Sequence, residues 1–153
     1  MAWCGGGYRA QFLWGKRLVV IVLVVLSGCG AGGGDDDGDD GGGSGLQPTL
    51  QSIQTNIFSP ICAQAGCHVG ASAQQGLMLD SVDNSFQDLV GIASIESPAL
   101  LRVDPGNPDN SYLVHKIEGR STIVFAQMPL NQPALSGPQI AAIRTWIQNG
   151  ANQ

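Results

Sequence analysis

The chain has 153 residues, with 12 acidic groups, seven basic groups and 22 glycines. Fourteen of the glycines and five of the acidic residues precede Leu46, which leaves 108 residues of ordinary composition, Leu46 to Gln153, enough for one small domain and too few for two. Those 108 residues carry four basic against seven acidic groups, a net charge of −3, which excludes a nucleic-acid-binding surface, and their number excludes a large enzyme with its own cofactor-binding domain.

Arg9, Lys16 and Arg17 precede an unbroken run of nine apolar residues, Leu18 to Leu26, and then come Ser27, Gly28 and Cys29. A positive stretch, a short apolar stretch and small residues form a secretory signal. Nine apolar residues are too few to span a bilayer, which takes about 20. Leu26-Ser27-Gly28-Cys29 resembles the lipobox of bacterial lipoproteins. That resemblance implies a signal peptide over 1–28, cleavage before Cys29 and a lipid on Cys29. Gly30 to Gly45 holds only glycine, aspartate, one alanine and one serine, so 29–45 is expected to be a solvated, flexible tether. A calcium loop counted from Asp35 would need glycine at Asp40 and glutamate at Leu46, and a phosphate-binding loop would need a lysine that is not there.

The folded part, 46–153, opens with Leu50, Ile53 and Ile57 at helical spacing, which predicts a helix over about 48–58 with Pro48 in its first turn. A short helix is expected over Ser85 to Val90, closed by Gly91. Val103-Asp104-Pro105-Gly106 reads as a turn. A middle helix follows Asn107-Pro108, runs through Leu113 and Ile117 and ends at Gly119. Ser136 and Gln139 have the spacing of a capping box, and Ile140, Ile143 and Ile147, with Trp146 beside them, form the stripe of a last helix that stops at Gly150. No pair of alternating strands stands out, so the expected class is all-α.

Of four cysteines, Cys4 goes with the signal and Cys29 takes the lipid, which leaves Cys62 and Cys67 in Cys62-Ala63-Gln64-Ala65-Gly66-Cys67-His68. Export places these thiols in an oxidising compartment. Three chemistries compete. Two thiols followed at once by a histidine suit covalent haem attachment, with His68 on the iron, although the usual spacing has two residues between the cysteines and this chain has four. The two extra residues can loop outward, eased by Gly66. A plain Cys62–Cys67 disulfide is the second reading. Zinc held by Cys62, Cys67, His68 and His115 is the third, disfavoured because adjacent Cys67 and His68 diverge.

The ordered set of stretches narrows this. Ile57-Phe58-Ser59-Pro60-Ile61-Cys62 with Cys67-His68, then Val103 to Pro108, Ser111-Tyr112-Leu113, Met128-Pro129-Leu130, and Leu135-Ser136 leading to Ile143-Arg144-Thr145-Trp146-Ile147 and Gly150-Ala151 together resemble the class I c-type cytochromes, in particular small exported single-haem domains of bacteria. The resemblance covers nearly all of 46–151. It implies a cytochrome c-like fold, with N- and C-terminal helices packed around one covalently bound haem c. It implies thioethers at Cys62 and Cys67, His68 as one axial iron ligand and Met128, of the Met-Pro pair, as the other. Asn131-Gln132 stands where relatives often carry glycines.

The other candidates for the second axial position are His115, the fallback, which otherwise reads as a partly exposed polar position on the middle helix between Val114 and Lys116, and Met78. Met78 lies ten residues from His68, too close in sequence unless the chain runs nearly straight, and its surroundings read as packing. Arg144 is expected on the exposed face of the last helix and Trp146 in the core. With both axial positions filled no site stays open for a substrate, so the implied role is one-electron transfer with redox partner proteins and not enzymatic catalysis. The expected protein is monomeric, exported and lipid-anchored to a membrane, facing the periplasm or cell surface. Two rival roles remain. One is a cofactor-free structural or interaction lipoprotein with a Cys62–Cys67 disulfide, and the other a haem-based sensor with a displaceable sixth ligand.

Overall fold

A computed structural model describes residues 45–153; the expected signal peptide, Cys29 and the tether up to Ser44 lie outside the described residues. Four α-helices are formed: α1 (Leu50–Ile53), α2 (Val82–Leu89), α3 (Tyr112–Glu118) and α4 (Gly137–Gln148). Among the described residues the extended chain makes only isolated bridge pairs and no strand, so the class is all-helical.

α1 starts at Leu50, two residues later than expected. Thr49 is the N-cap, its hydroxyl accepting from the Ser52 amide at 3.3 Å, so Pro48 precedes the cap instead of occupying the first turn. The helix also runs beyond residue 58. It passes without a break into a π-helical segment, Gln54–Cys62, closed by the Ala63 amide on the Phe58 carbonyl at 2.8 Å. The wider register accounts for Pro60 inside the helix: hydrogen bonds reach five residues back, away from the carbonyl four residues back that a proline ring would strike. Cys62 is therefore delivered at the end of a helical rod and not from a loop.

That rod is anchored on the core. Leu50, Ile53, Ile57 and Phe58 are fully buried in one cluster with Leu89 of α2, Val114 and Ile117 of α3, and Ile143, Trp146 and Ile147 of α4. α1 packs against both α2 and α4, and α3 against α4. Gln54 supplies the polar tie. Its Nε2 donates to the Leu79 carbonyl at 2.8 Å and to Ser59 Oγ at 2.9 Å, and its Oε1 accepts from Ser85 Oγ at 2.7 Å. Trp146 lies in the core, as expected, and its Nε1 donates to the Asn152 carbonyl at 2.7 Å.

α4 follows its sequence signals. The Ser136 amide donates to Gln139 Oε1 at 2.9 Å and the Gln139 amide to Ser136 Oγ, a complete capping box. Its far end is a Schellman motif: Ala151 bonds the Trp146 carbonyl, Gly150 the Ile147 carbonyl, and Gly150 takes φ +98°. α2 begins three residues before its expected start, because Ser81 caps it through the Asn84 amide at 3.2 Å. The expected turn is closed by Asn107 on Asp104 at 2.9 Å, with Gly106 at φ +84°. A single 3₁₀ turn, Pro108–Asn110, then leads into α3, which ends at Gly119 in the left-handed conformation as its sequence indicates. Among the described residues no helix is long and apolar enough to cross a membrane.

Candidate cofactor-binding site

The end of the π-helical rod opens onto a cavity of about 580 Å³. Its size lies within the range of small-molecule and cofactor sites, roughly 300–1,000 Å³. Four side chains singled out in the sequence line it: Cys62, Cys67, His68 and Met128. Phe58, Leu79, Leu89, Ile117, Leu135 and Ile143 give it an apolar floor taken from the core.

The two thiols come from different local structures. Cys62 ends the helical rod, whereas Cys67 closes a turn in which its amide bonds the Gln64 carbonyl at 2.9 Å. Gly66 makes that turn possible with φ +80°, and Gln64, Ala65 and Gly66 are exposed. The additional residues between the cysteines thus project into solvent, and the His68 amide still returns to the Cys62 carbonyl at 3.3 Å. Cys62 and Cys67 are both free thiols. Burial, helped by the neighbouring Cys67, pushes the Cys62 thiol up from 9.0 to about 12.

The His68 ring is held by the chain that follows it. Its Nδ1 lies 3.1 Å from the Leu77 carbonyl oxygen. A carbonyl only accepts, so Nδ1 carries the proton and the neutral ring keeps a free electron pair on Nε2. A main-chain carbonyl on one ring nitrogen with the other left for a metal is the usual support of a ligating histidine. Burial pushes the imidazole below its ordinary value of 6.5, opposed by the main chain of Leu77 and Gln74, so the neutral, ligating form prevails at pH 7. Two further bonds return the same segment to the motif: Gln74 N–H to Cys67 O and Leu79 N–H to His68 O, each 2.8 Å.

Met128 reaches the cavity from the irregular chain between α3 and α4. Its amide bonds the Lys116 carbonyl at 2.9 Å, and Gln127 Nε2 bonds the Ile117 carbonyl at 2.8 Å, so the end of α3 sets its position. His115 does not line the cavity. It is buried, not partly exposed as its sequence context suggests, with Nε2 2.7 Å from the Asp109 carbonyl and Nδ1 3.1 Å from Thr122 Oγ1. Met78 is also outside the cavity lining, its amide bonded to Asp88 Oδ2 at 2.8 Å. Among the described residues no three His, Cys, Asp or Glu side chains converge as a metal site, so the four-ligand zinc arrangement is not formed.

Sequence reasoning missed the charged part of the wall. Arg102, Glu96, Lys116 and the Tyr112 ring all line the cavity. Glu96 Oε2 accepts from Lys116 Nζ at 3.0 Å and from the Tyr112 hydroxyl at 2.8 Å, with both charged side chains about nine-tenths buried. Lys116 Nζ also donates to the Val124 carbonyl and the Val124 amide donates to the Tyr112 hydroxyl, which ties the segment leading to Met128 to α3. The available signal was a single charge between apolar residues, Leu101-Arg102-Val103, which argues for a buried cation with polar partners; Lys116, between His115 and Ile117, carries no such signal. Around the mouth, Ile95, Phe125 and Leu130 are 61, 80 and 53 % exposed, an apolar rim continuous with the apolar floor. Arg144 stays on the surface, bonded to Asp109 and Glu118, which Arg120 also bridges.

No protein-family model, curated protein or solved structure matches the chain.

Proposed function

We propose that the protein is a monohaem c-type cytochrome that carries single electrons at a membrane surface, with a cytochrome c-like fold around one covalently attached haem. The observation that carries the proposal is the meeting of two thiols, a histidine with a free Nε2 pair and a methionine thioether on one apolar cavity wall. The donor set fits haem c. Cys62 and Cys67 would hold the haem through thioether bonds, and His68 and Met128 would ligate its iron. Arg102, hydrogen-bonded only to main-chain carbonyls, keeps a positive charge at the wall, which suits a cofactor that carries carboxylates.

When bound, haem supplies a one-electron iron couple. The chain supplies the surroundings. Leu77 orients the His68 ring and fixes its proton on Nδ1. The apolar floor excludes water, and a neutral thioether at Met128 favours the reduced, less charged state and so a higher potential. The apolar rim leaves the cavity mouth open for electron exchange with a partner. A lipid on Cys29, joined to the domain through the Gly/Asp-rich stretch, would keep this exchange close to a membrane.

The test is an optical spectrum of protein exported together with a haem-attachment system. A sharp α band on dithionite reduction and a weak thioether charge-transfer band in the red when oxidised are expected. A colourless product with Cys62 joined to Cys67 would replace this reading by a disulfide-stapled lipoprotein, and a high-spin product that binds carbon monoxide would replace it by a haem sensor.

A further inference from the structure

Arg102 is 8 % exposed and forms no ion pair among the described residues. Its guanidinium is spent on the main chain. It donates to the Gln75 carbonyl at 2.6 Å, the Asp88 carbonyl at 2.7 Å and the Gly76 carbonyl at 3.4 Å. Asp88 lies in the last turn of α2, where a cation meets the negative end of the helix dipole. Gln75 and Gly76 are both left-handed, at φ +58°. Glycine adopts this readily, but glutamine does not and must be held there by its surroundings. The Gln75 side chain is exposed and offers no such hold. The next residue is Leu77, whose carbonyl meets Nδ1 of His68.

We propose that Arg102 is a positioning residue for His68: its guanidinium clamps the two successive left-handed residues Gln75 and Gly76 to the end of α2, and so aims the Leu77 carbonyl at the imidazole. The clamp explains why a charge that is hydrogen-bonded to no carboxylate, with Asp88 acting on it only through space, is buried in this wall. It acts through main-chain oxygens from two guanidinium nitrogens, so it needs the planar fork of arginine, and a lysine, whose donors all sit on one nitrogen, cannot replace it. The inference deepens the haem reading and rests on it for the role of His68, but the clamp itself is a property of the polypeptide.

The test compares the full exported protein with Arg102→Met, Arg102→Lys and the double variant Arg102→Met/Gln75→Gly. The readout is proton exchange at His68 Nδ1 by NMR in the reduced protein, referenced to the buried Ile147 amide, so that general loosening of the fold is divided out. Losing the support of one hydrogen bond corresponds to exchange about tenfold faster at Nδ1 relative to the reference. That acceleration is expected in both single variants. Gln75→Gly removes the strain that the clamp opposes and is expected to restore slow exchange in the Arg102→Met background. Unchanged relative exchange in Arg102→Met, or no recovery in the double variant, overturns the clamp. A wild type without haem overturns the haem reading instead, and exchange at His68 in that colourless protein then tests the clamp by the same criterion.

Discussion

The carbonyl oxygen of Leu77 lies 3.1 Å from Nδ1 of His68, nine residues before it in the chain. This bond decides which ring nitrogen can bind a metal. It also shows that the segment after the cysteine motif, which carries no recognisable motif of its own, is the mount on which the motif's histidine is set.

Met128→Ala is expected to convert a low-spin spectrum to a high-spin one, to permit carbon monoxide binding in the reduced protein and to lower the midpoint potential. Spectroscopy and potentiometry of the loaded protein check this. An unchanged low-spin spectrum would remove Met128 from the iron.

His115→Ala is expected to leave that spectrum intact. The ring is occupied by the Asp109 carbonyl and the Thr122 hydroxyl, so its loss is structural, at about 1–3 kcal/mol for buried partners left unpaired. Chemical denaturation gives the cost. A changed axial signature would show that His115 reaches the iron after all.

Gln54→Ala removes the link from the helical rod to Leu79, Ser59 and Ser85. The expected loss is about 3 kcal/mol, since several buried polar groups lose their partner together. Haem yield is expected to fall with it, because the rod that delivers Cys62 is loosened. A denaturation midpoint within error of wild type would contradict the role given to Gln54.

In the chain without a cofactor, the Cys62 thiol is held up at about 12, mainly by burial. An unfolded chain releases this proton near 9.0 and the folded chain keeps it. The unloaded fold is therefore expected to lose stability as pH rises from 9 towards 12, and the contribution is fully present below 9. In the same form Cys62 is expected to react slowly with alkylating reagents at pH 8 and rapidly once denatured. Equal rates in the two states would show an exposed thiolate.

The helices with strong end signals were legible in the sequence. Ser136 with Gln139 and Gly150 bounded α4, and Gly119 closed α3, because caps are local chemistry. The passage of the first helix through Pro60 was not legible, since it depends on a π register that the buried Ile57 and Phe58 hold in place. The cysteines, His68 and Met128 could be named from sequence, and the fold brings all four to one cavity. Arg102 could not be assigned. Its partners are main-chain oxygens at positions 75, 76 and 88, and no side-chain pattern records a bond to a backbone. His115 looked half-exposed for a similar reason: the Asp109 carbonyl that satisfies it belongs to the 3₁₀ turn preceding its helix.

The most direct test of covalent haem at this cavity is the intact mass of the exported protein, followed by peptide mapping of the segment from Ile61 to His68. One haem per chain, retained after denaturation and located on the peptide that holds Cys62 and Cys67, is the predicted result. A mature chain without haem, whose Cys62 and Cys67 are joined to each other, would contradict it.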